Sequence, residues 1–203
     1  MRIRKALETR WKITNFLYRV LLSPVNKVNF FLNGVSIANG ASVFGVPLIQ
    51  KHSNAVITIG NNFSMRNGKR YNPISQNACC VISAREPSSR IVIGNNVGMS
   101  SSVIVGADSI DIGDRVLIGA NTSIIDTDFH PLSVEQRVSN PKSGLSRPIS
   151  IGNDVFIGMN CIILKGSIIG DGSVIGAGSV VSGHIPPGSV AIGNPAKVVK
   201  TIN

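Results

Sequence analysis

Residues 151–181 read IGNDVFIGMNCIILKGSIIGDGSVIGAGSVV. An aliphatic residue returns every six positions, at Ile151, Ile157, Ile163, Ile169, Ile175 and Val181. A small residue follows most of these anchors: Gly152, Gly158, Gly170, Gly176 and Ser182, with Leu164 the exception. Four positions after each anchor stands a residue small or apolar enough to pack inside: Val155, Cys161, Ser167, Ser173, Ser179 and Ile185. A helix wants an apolar period near 3.6 and a simple strand a period of 2. A sustained period of six fits neither. It fits a parallel β-helix, in which each short repeat forms one flat face of a coil. Each anchor is then buried only by the coils stacked before and after it. The glycines are expected where the backbone turns a corner.

Working outward, Ile93, Met99 and Val105 keep the same phase. Ile112, Ile118 and Ile124 resume it after one extra residue, and Ile59 and Met65 suggest a still earlier coil. Residues 34–60 look looser, which predicts irregular first coils capping the open end. Residues 66–90 break the period with polar and turn residues. Residues 126–148, DTDFHPLSVEQRVSNPKSGLSRP, carry three prolines and no aliphatic period. They predict a long loop thrown out from one corner, and loops of that length in compact folds are usually functional. Ile149 resumes the coils to about His184, and residues 185–203 are expected to close the end.

The 203 residues suffice for one domain plus an appendage. Hydrophobic residues make up 43 % and aromatics only 5 %, which suits a narrow solenoid filled by Ile and Val. The three cysteines form no spaced disulfide framework, so reduced thiols and a cytoplasmic setting are expected. The formal charge is +10, and residues 1–34 hold +6 of it: Arg2, Arg4, Lys5, Arg10, Lys12, Arg19 and Lys27 against Glu8. That asymmetry argues against a nucleic-acid groove spread over the fold and marks residues 1–34 as a basic amphipathic appendage. Ile3, Leu7, Trp11, Phe16, Leu17, Val20 and Leu21 predict a helix ending before Pro24. The apolar run is too short and too interrupted by Lys12 and Arg19 to span a bilayer or serve as a signal peptide. Two readings stay open: a helix packing on the solenoid or a neighbouring subunit, or an interfacial helix on anionic lipid at the inner face of the membrane.

His130, within Asp126-Thr127-Asp128-Phe129-His130-Pro131, is the candidate for proton transfer. An imidazole titrates near neutral pH and suits the removal of a proton from an attacking hydroxyl. Asp126 and Asp128 are candidates to orient that ring or to bind an acceptor, with plain turn formation as the alternative. His52 and His184 are read as structural or surface residues. With three histidines in all, and only His130 well placed, no zinc site is expected. Nor is there a phosphate-cradling Gly-rich loop.

Three segments carry a family resemblance: NTSIIDTDFHPL at 121–132, the paired IGNDVFIG at 151–158, and IPPGSVAIGNPAKVVK at 185–200. The chain resembles the hexapeptide-repeat acyltransferases over roughly residues 57–200, and most of all their sugar O-acetyltransferase branch, the maltose, galactoside and polysaccharide acetyltransferases. The resemblance implies an all-β, left-handed parallel β-helix solenoid over residues 35–200, with a short N-terminal helical segment (1–34) and a protruding loop. The hand comes from the resemblance alone, since parallel crossovers ordinarily run right-handed. It also implies a homotrimer, with the general base at His130. Acetyl-CoA would lie along the solenoid, its amides meeting backbone at Gly158, Met159, Gly176, Ala177 and Ser182. The Met159 N–H would face the thioester oxyanion, and Lys197 and Lys200 the CoA phosphates. Three departures stand out. Met159 is bulkier than usual. Ser182-Gly183 replaces a frequent Thr-Lys. Ser101 stands about where galactoside-type enzymes place an acceptor-binding Asn.

These readings predict an acetyl-CoA-dependent O-acetyltransferase that acts on a sugar hydroxyl, in a surface polysaccharide or its precursor, with direct transfer and no metal. Acceptor contacts are expected from Ser101 and Asp128. Cys161 points inward by the repeat phase and is a poor nucleophile. N-acetylation of an amino sugar, sugar nucleotide or similar drug is the enzyme alternative. A non-catalytic hexapeptide scaffold, binding partners or membrane through residues 1–34, is the alternative outside catalysis.

Overall fold

The computed structural model describes residues 9–202. The expectations for Arg2, Ile3, Arg4, Lys5, Leu7 and Glu8 lie outside the described residues. From Ser36 onward the chain winds through three parallel sheets. The first stacks Ser36–Ile37, Val56–Ile59, Arg90–Ile93, Ser109–Ile112, Ile149–Ile151, Ile168–Ile169 and His184–Ile185. The second stacks Ser42–Phe44, Ser64–Arg66, Gly98–Ser100, Leu117–Ile118, Phe156–Ile157, Val174–Ile175 and Ser189–Gly193. The third stacks Leu48–Lys51, Val81–Ala84, Val103–Gly106, Ser123–Ile125, Ile162–Leu164 and Val180–Val181. The six anchors from Ile151 to Val181 are all at most 2 % exposed, and each pairs with an aliphatic residue of the coil above or below. One column of Ile and Val thus fills the interior.

The glycines after the anchors have a different job from the one their positions suggest. The left-handed corner lies three residues past the first five of these anchors, at Asp154, Asn160, Gly166, Gly172 and Gly178, with φ between 57° and 76°. Gly158 is needed instead for close stacking: a Cβ there would sit 2.6 Å from the Ala177 nitrogen. Coil spacing, not turn conformation, excludes a side chain.

Four boundaries differ from expectation. The first coil is regular, because Ile37, Val43 and Ile49 already keep the six-residue spacing. At Ser101-Ser102 the phase slips, so the inward residue opposite Ile124 is Ile104, and Val105 pairs with Ile125. Ser101 takes a left-handed φ of 45° there. The coils also continue past His184 to Gly193, and Ala196–Thr201 then turns back antiparallel on Ser189–Gly193.

The fourth concerns helix α1, Arg10–Leu32, which runs through Pro24 rather than ending before it. A proline inside a helix removes one hydrogen bond. The second half is held anyway: Asn26 Nδ2 donates to Gly45 O, Asn29 Nδ2 donates to Pro47 O, and Phe30 is 3 % exposed. Gly34, at φ 61°, ends α1 by donating to Phe31 O while Val35 donates to Phe30 O.

Candidate functional site

The excursion at 126–148 leaves the third sheet through a narrow neck. Thr127 and Ser146 form an antiparallel bridge, Asp128 N–H donates to Leu145 O, and Arg147 N–H donates to Asp126 O. Beyond the neck the chain forms a short helix, α2 (Val134–Ser139), capped by Ser133, within the long loop expected there. His130 sits at the mouth of this excursion and is exposed. Its N–H donates to Asp128 O at 2.7 Å across Phe129, which takes φ 61°. This tight γ-turn with a left-handed aromatic residue is strained, and such strain collects at functional sites.

The ring is oriented by backbone. His130 Nδ1 lies 2.6 Å from Pro141 O. A carbonyl oxygen only accepts, so the bond requires the proton on Nδ1, and neutral His130 then carries its lone pair on Nε2. Neither aspartate makes this contact. Asp126 is fully buried and accepts from the Ala107 and Asp108 N–H groups at 2.7 and 2.9 Å, tying the loop's base to the neighbouring corner. Burial pushes its carboxyl above the usual range, against the pull of those two donors. The expectation that Asp126 orients His130 is therefore corrected: its oxygens are spent on backbone. Asp128 Oδ1 pairs with Lys165 Nζ at 2.5 Å, whereas its Oδ2 is buried without a partner.

Two residues the sequence reading passed over matter here. Pro141 supplies the carbonyl, and Gly144 lies so close that a Cβ would meet Phe129 C at 2.5 Å and His130 N at 2.6 Å. Ser101 is fully buried, and its Oγ accepts from Gly68 N–H at 2.9 Å. Its expected contact with an acceptor does not fit a hydroxyl with no exposed surface. Ser102 is buried as well, donating to Ser100 O and Gly119 O.

Along the second-to-third corner, the Gly158 and Gly176 N–H groups are consumed by Ile175 O and Ala191 O. The next amides, Met159 and Ala177, have no acceptor among the described residues. Gly158 and Gly176 thus bring the coils close, and Met159 and Ala177 offer the donors. Ser182 is exposed at the following corner. Lys197 pairs with Ile192 and Lys200 with Val190, across a bulge that skips Val199. Val190 and Ile192 are two apart, so the bulge puts both lysines on the same face of the closing hairpin. His184 is exposed, and His52 Nδ1 accepts from Asn54 N–H. Cys161 is buried against Gly176 O, and burial raises its thiol; Cys80 is pushed up to about 12 by burial. Among the described residues no three His, Cys, Asp or Glu side chains group to hold a metal ion.

Residues 148–183 match the family described as bacterial transferase hexapeptide (six repeats), and residues 109–137 match the hexapeptide repeat of succinyl-transferase. The galactoside O-acetyltransferase of Escherichia coli K12 is 43 % identical over 116 residues, 57 % of this chain and 56 % of that one. A solved galactoside acetyltransferase in complex with coenzyme A is 33 % identical, with a TM-score of 0.56 over 83 % of this chain and 65 % of that chain. A mutant of AntD, an N-acyltransferase from Bacillus cereus in complex with dTDP and coenzyme A, is 19 % identical, with a TM-score of 0.68 over 89 % of each chain, a likeness of fold alone. The chain spans about half the length of the curated relatives it matches. The three-sheeted coil matches the left-handed parallel β-helix of such acyltransferase structures.

Proposed function

We propose that this chain, which belongs to the hexapeptide-repeat acyltransferase family, transfers an acetyl group from acetyl-CoA to a hydroxyl of a sugar, in a surface polysaccharide or its precursor. The observation that carries the reading is the Nδ1 contact of His130 with Pro141 O, which leaves Nε2 as a base on an exposed loop. In the reaction, Nε2 takes the hydroxyl proton as the oxygen attacks the thioester carbon. The tetrahedral oxyanion is met by a backbone N–H, for which Met159 is the candidate. Its collapse expels the CoA thiolate, which takes the proton back from the imidazolium. No acyl-enzyme forms, and the burial of Cys161 and Cys80 fits that economy. Asp128, whose Oδ1 is held by Lys165 and whose Oδ2 is buried without a partner, would have to turn an oxygen outward to accept from a second hydroxyl of the acceptor. Ala177 and Ser182 would line the pantetheine arm, and Lys197 and Lys200 the phosphates.

The reading includes a homotrimer. His130 is exposed on the single chain, and Leu132, Val134 and Val138 beside it are 66–82 % exposed. A neighbouring subunit would supply the missing wall and cover that apolar surface. The test is free-thiol release from acetyl-CoA with a panel of sugars, amino sugars and sugar nucleotides. His130→Ala should lower kcat on the order of 10²- to 10⁴-fold without changing the melting temperature. Unchanged turnover in that variant would remove His130 from the mechanism. Turnover confined to amines would move the assignment to N-acetylation, and no turnover with no CoA binding to a scaffold.

A further inference from the structure

Helix α1 packs the opposite way round from an ordinary surface helix. The face it turns to the first coil is largely polar, with Phe30 as its one buried apolar side chain. Asn15 and Asn26 are buried, Arg19 and Asn29 half-buried. They donate to Arg70 O, Gly45 O, Ser42 Oγ and Pro47 O. The face turned away is apolar. Ile13, Leu17, Val20, Leu21, Val28 and Phe31 recur along one side and are 42–81 % exposed. A helix with its hydrogen-bonding groups directed inward and its aliphatics outward has an apolar medium to meet on that side.

What lies beside the stripe narrows the choice. A cavity of about 750 Å³ opens between α1 and the loop following Arg66. Lys12, Arg19, Arg66, Lys69 and Arg70 line it, with no carboxylate in the lining and no ion pair for any of the five among the described residues. Arg19 Nε is buried there without a hydrogen-bond partner. The guanidinium of Arg19 lies over Phe16 and Phe44, that of Arg66 over Phe44, and that of Arg70 over Tyr18. Five like charges around one cavity repel each other until an anion enters. Phe16 joins the two features, since it lines the cavity and is 52 % exposed.

We propose that α1 and this basic cavity dock the protein on an anionic bilayer, the outward aliphatic stripe entering the acyl boundary and lipid phosphates occupying the cavity. Charge complementarity selects this occupant over a second copy of the chain, because α1 carries Arg10, Lys12, Arg19 and Lys27 and no carboxylate. No described helix is long and apolar enough to cross a membrane, so the contact is one of lying on the surface. The inference is independent of the acetyl-transfer reading and survives or fails without it.

The test is co-sedimentation of the full chain with vesicles of phosphatidylcholine alone or mixed with phosphatidylglycerol, at low and high salt. The chain should pellet with the mixed vesicles and not with phosphatidylcholine alone, and high salt should weaken the binding. Lys69→Ala with Arg70→Ala should lower partitioning about thirtyfold. Leu17→Asp with Leu21→Asp should abolish it, while thermal melts show both variants folded, as expected for exposed positions. No pelleting of the wild type, with inorganic phosphate or pyrophosphate alone raising its melting temperature, would overturn the proposal in favour of a soluble anion site. No pelleting, with the Leu17/Leu21 variant changing the mass in sedimentation equilibrium, would overturn it in favour of an interface between copies. Equal binding to phosphatidylcholine vesicles, or wild-type binding by the cavity variant, would overturn the role of the cations.

Discussion

The coils between Ile149 and Ile185 and the excursion at 126–148 are adjacent in the chain and use the same aliphatic side chains to opposite ends. In the coils, Ile149, Ile157 and Ile169 are at most 1 % exposed, and each stacks on an aliphatic residue of the preceding turn. In the excursion, Leu132 and Val138 are both 82 % exposed. The difference does not lie in residue type. A hexad is buried because another hexad lies above and below it, whereas the excursion has no stacked partner within its own chain. Stability is concentrated in the first region. The second holds a strained turn, an oriented imidazole and an apolar surface awaiting a wall.

The comparison breaks or holds on paired truncations. Ile169→Ala, inside the stack and away from the candidate site, is expected to cost about 2–5 kcal/mol of stability. Val138→Ala is expected to stay within about 0.5 kcal/mol for a dilute, monomeric chain. Chemical denaturation measures both. A cost at Val138 that grows with protein concentration would show that assembly buries the excursion. A large cost independent of concentration would mean that the two regions do not differ as described.

How much of this was legible beforehand follows the same divide. The six-residue period gives the stack because burial in a repeat depends on nearest neighbours, and neighbours are regularly spaced in sequence. The excursion was legible as a loop from its prolines, and His130 from its surroundings. What positions His130 was not. Pro141 acts through a carbonyl that every residue possesses, and Gly144 through the absence of a Cβ where Phe129 approaches. Neither leaves a spacing signal. The aspartates looked suited to the task by proximity in sequence, yet Asp126 is committed to the amides of Ala107 and Asp108 one coil away. Ser101 looked accessible until a left-handed corner turned it inside. The persistence of α1 through Pro24 comes from asparagine contacts to coils more than fifteen residues distant. Only the regularity of the first coil was there to be found, in Ile37, Val43 and Ile49.

Gly144→Ala sharpens the functional half of the comparison. A methyl group there would press on the Phe129–His130 peptide, displacing the ring from Pro141. A shift near 1 Å in a catalytic group can cost about 10²-fold. The expected outcome is a fall in kcat of roughly tenfold to a hundredfold, with KM for acetyl-CoA and the melting temperature nearly unchanged. A melting temperature lowered as far as by Ile169→Ala would instead make the excursion part of the stack's cooperative unit.

The smallest expected effect concerns what the stack owes to its polar corners. Arg115 and Asp154 face each other on adjacent coils, Nε to Oδ1 at 2.6 Å and Nη2 to Oδ2 at 2.7 Å, each at a left-handed corner. The Arg115 hydrogen bonds hold the Asp154 carboxyl below the usual carboxylate range. A folded pKa below the unfolded one means that the pair's contribution is present above the unfolded value and is lost as the pH falls through the folded one. Asp154→Asn keeps a residue that tolerates the left-handed corner and removes the charge. Wild type should therefore exceed Asp154→Asn slightly in stability at neutral pH, and the difference should vanish in acid. Both side chains are about half exposed, so high salt should shrink the gap as well. Chemical denaturation of the two proteins across acid and neutral pH measures it. A gap that persists in acid would assign the corner's contribution to backbone shape, and the stack would then owe its stability to its aliphatic column and corner conformations alone.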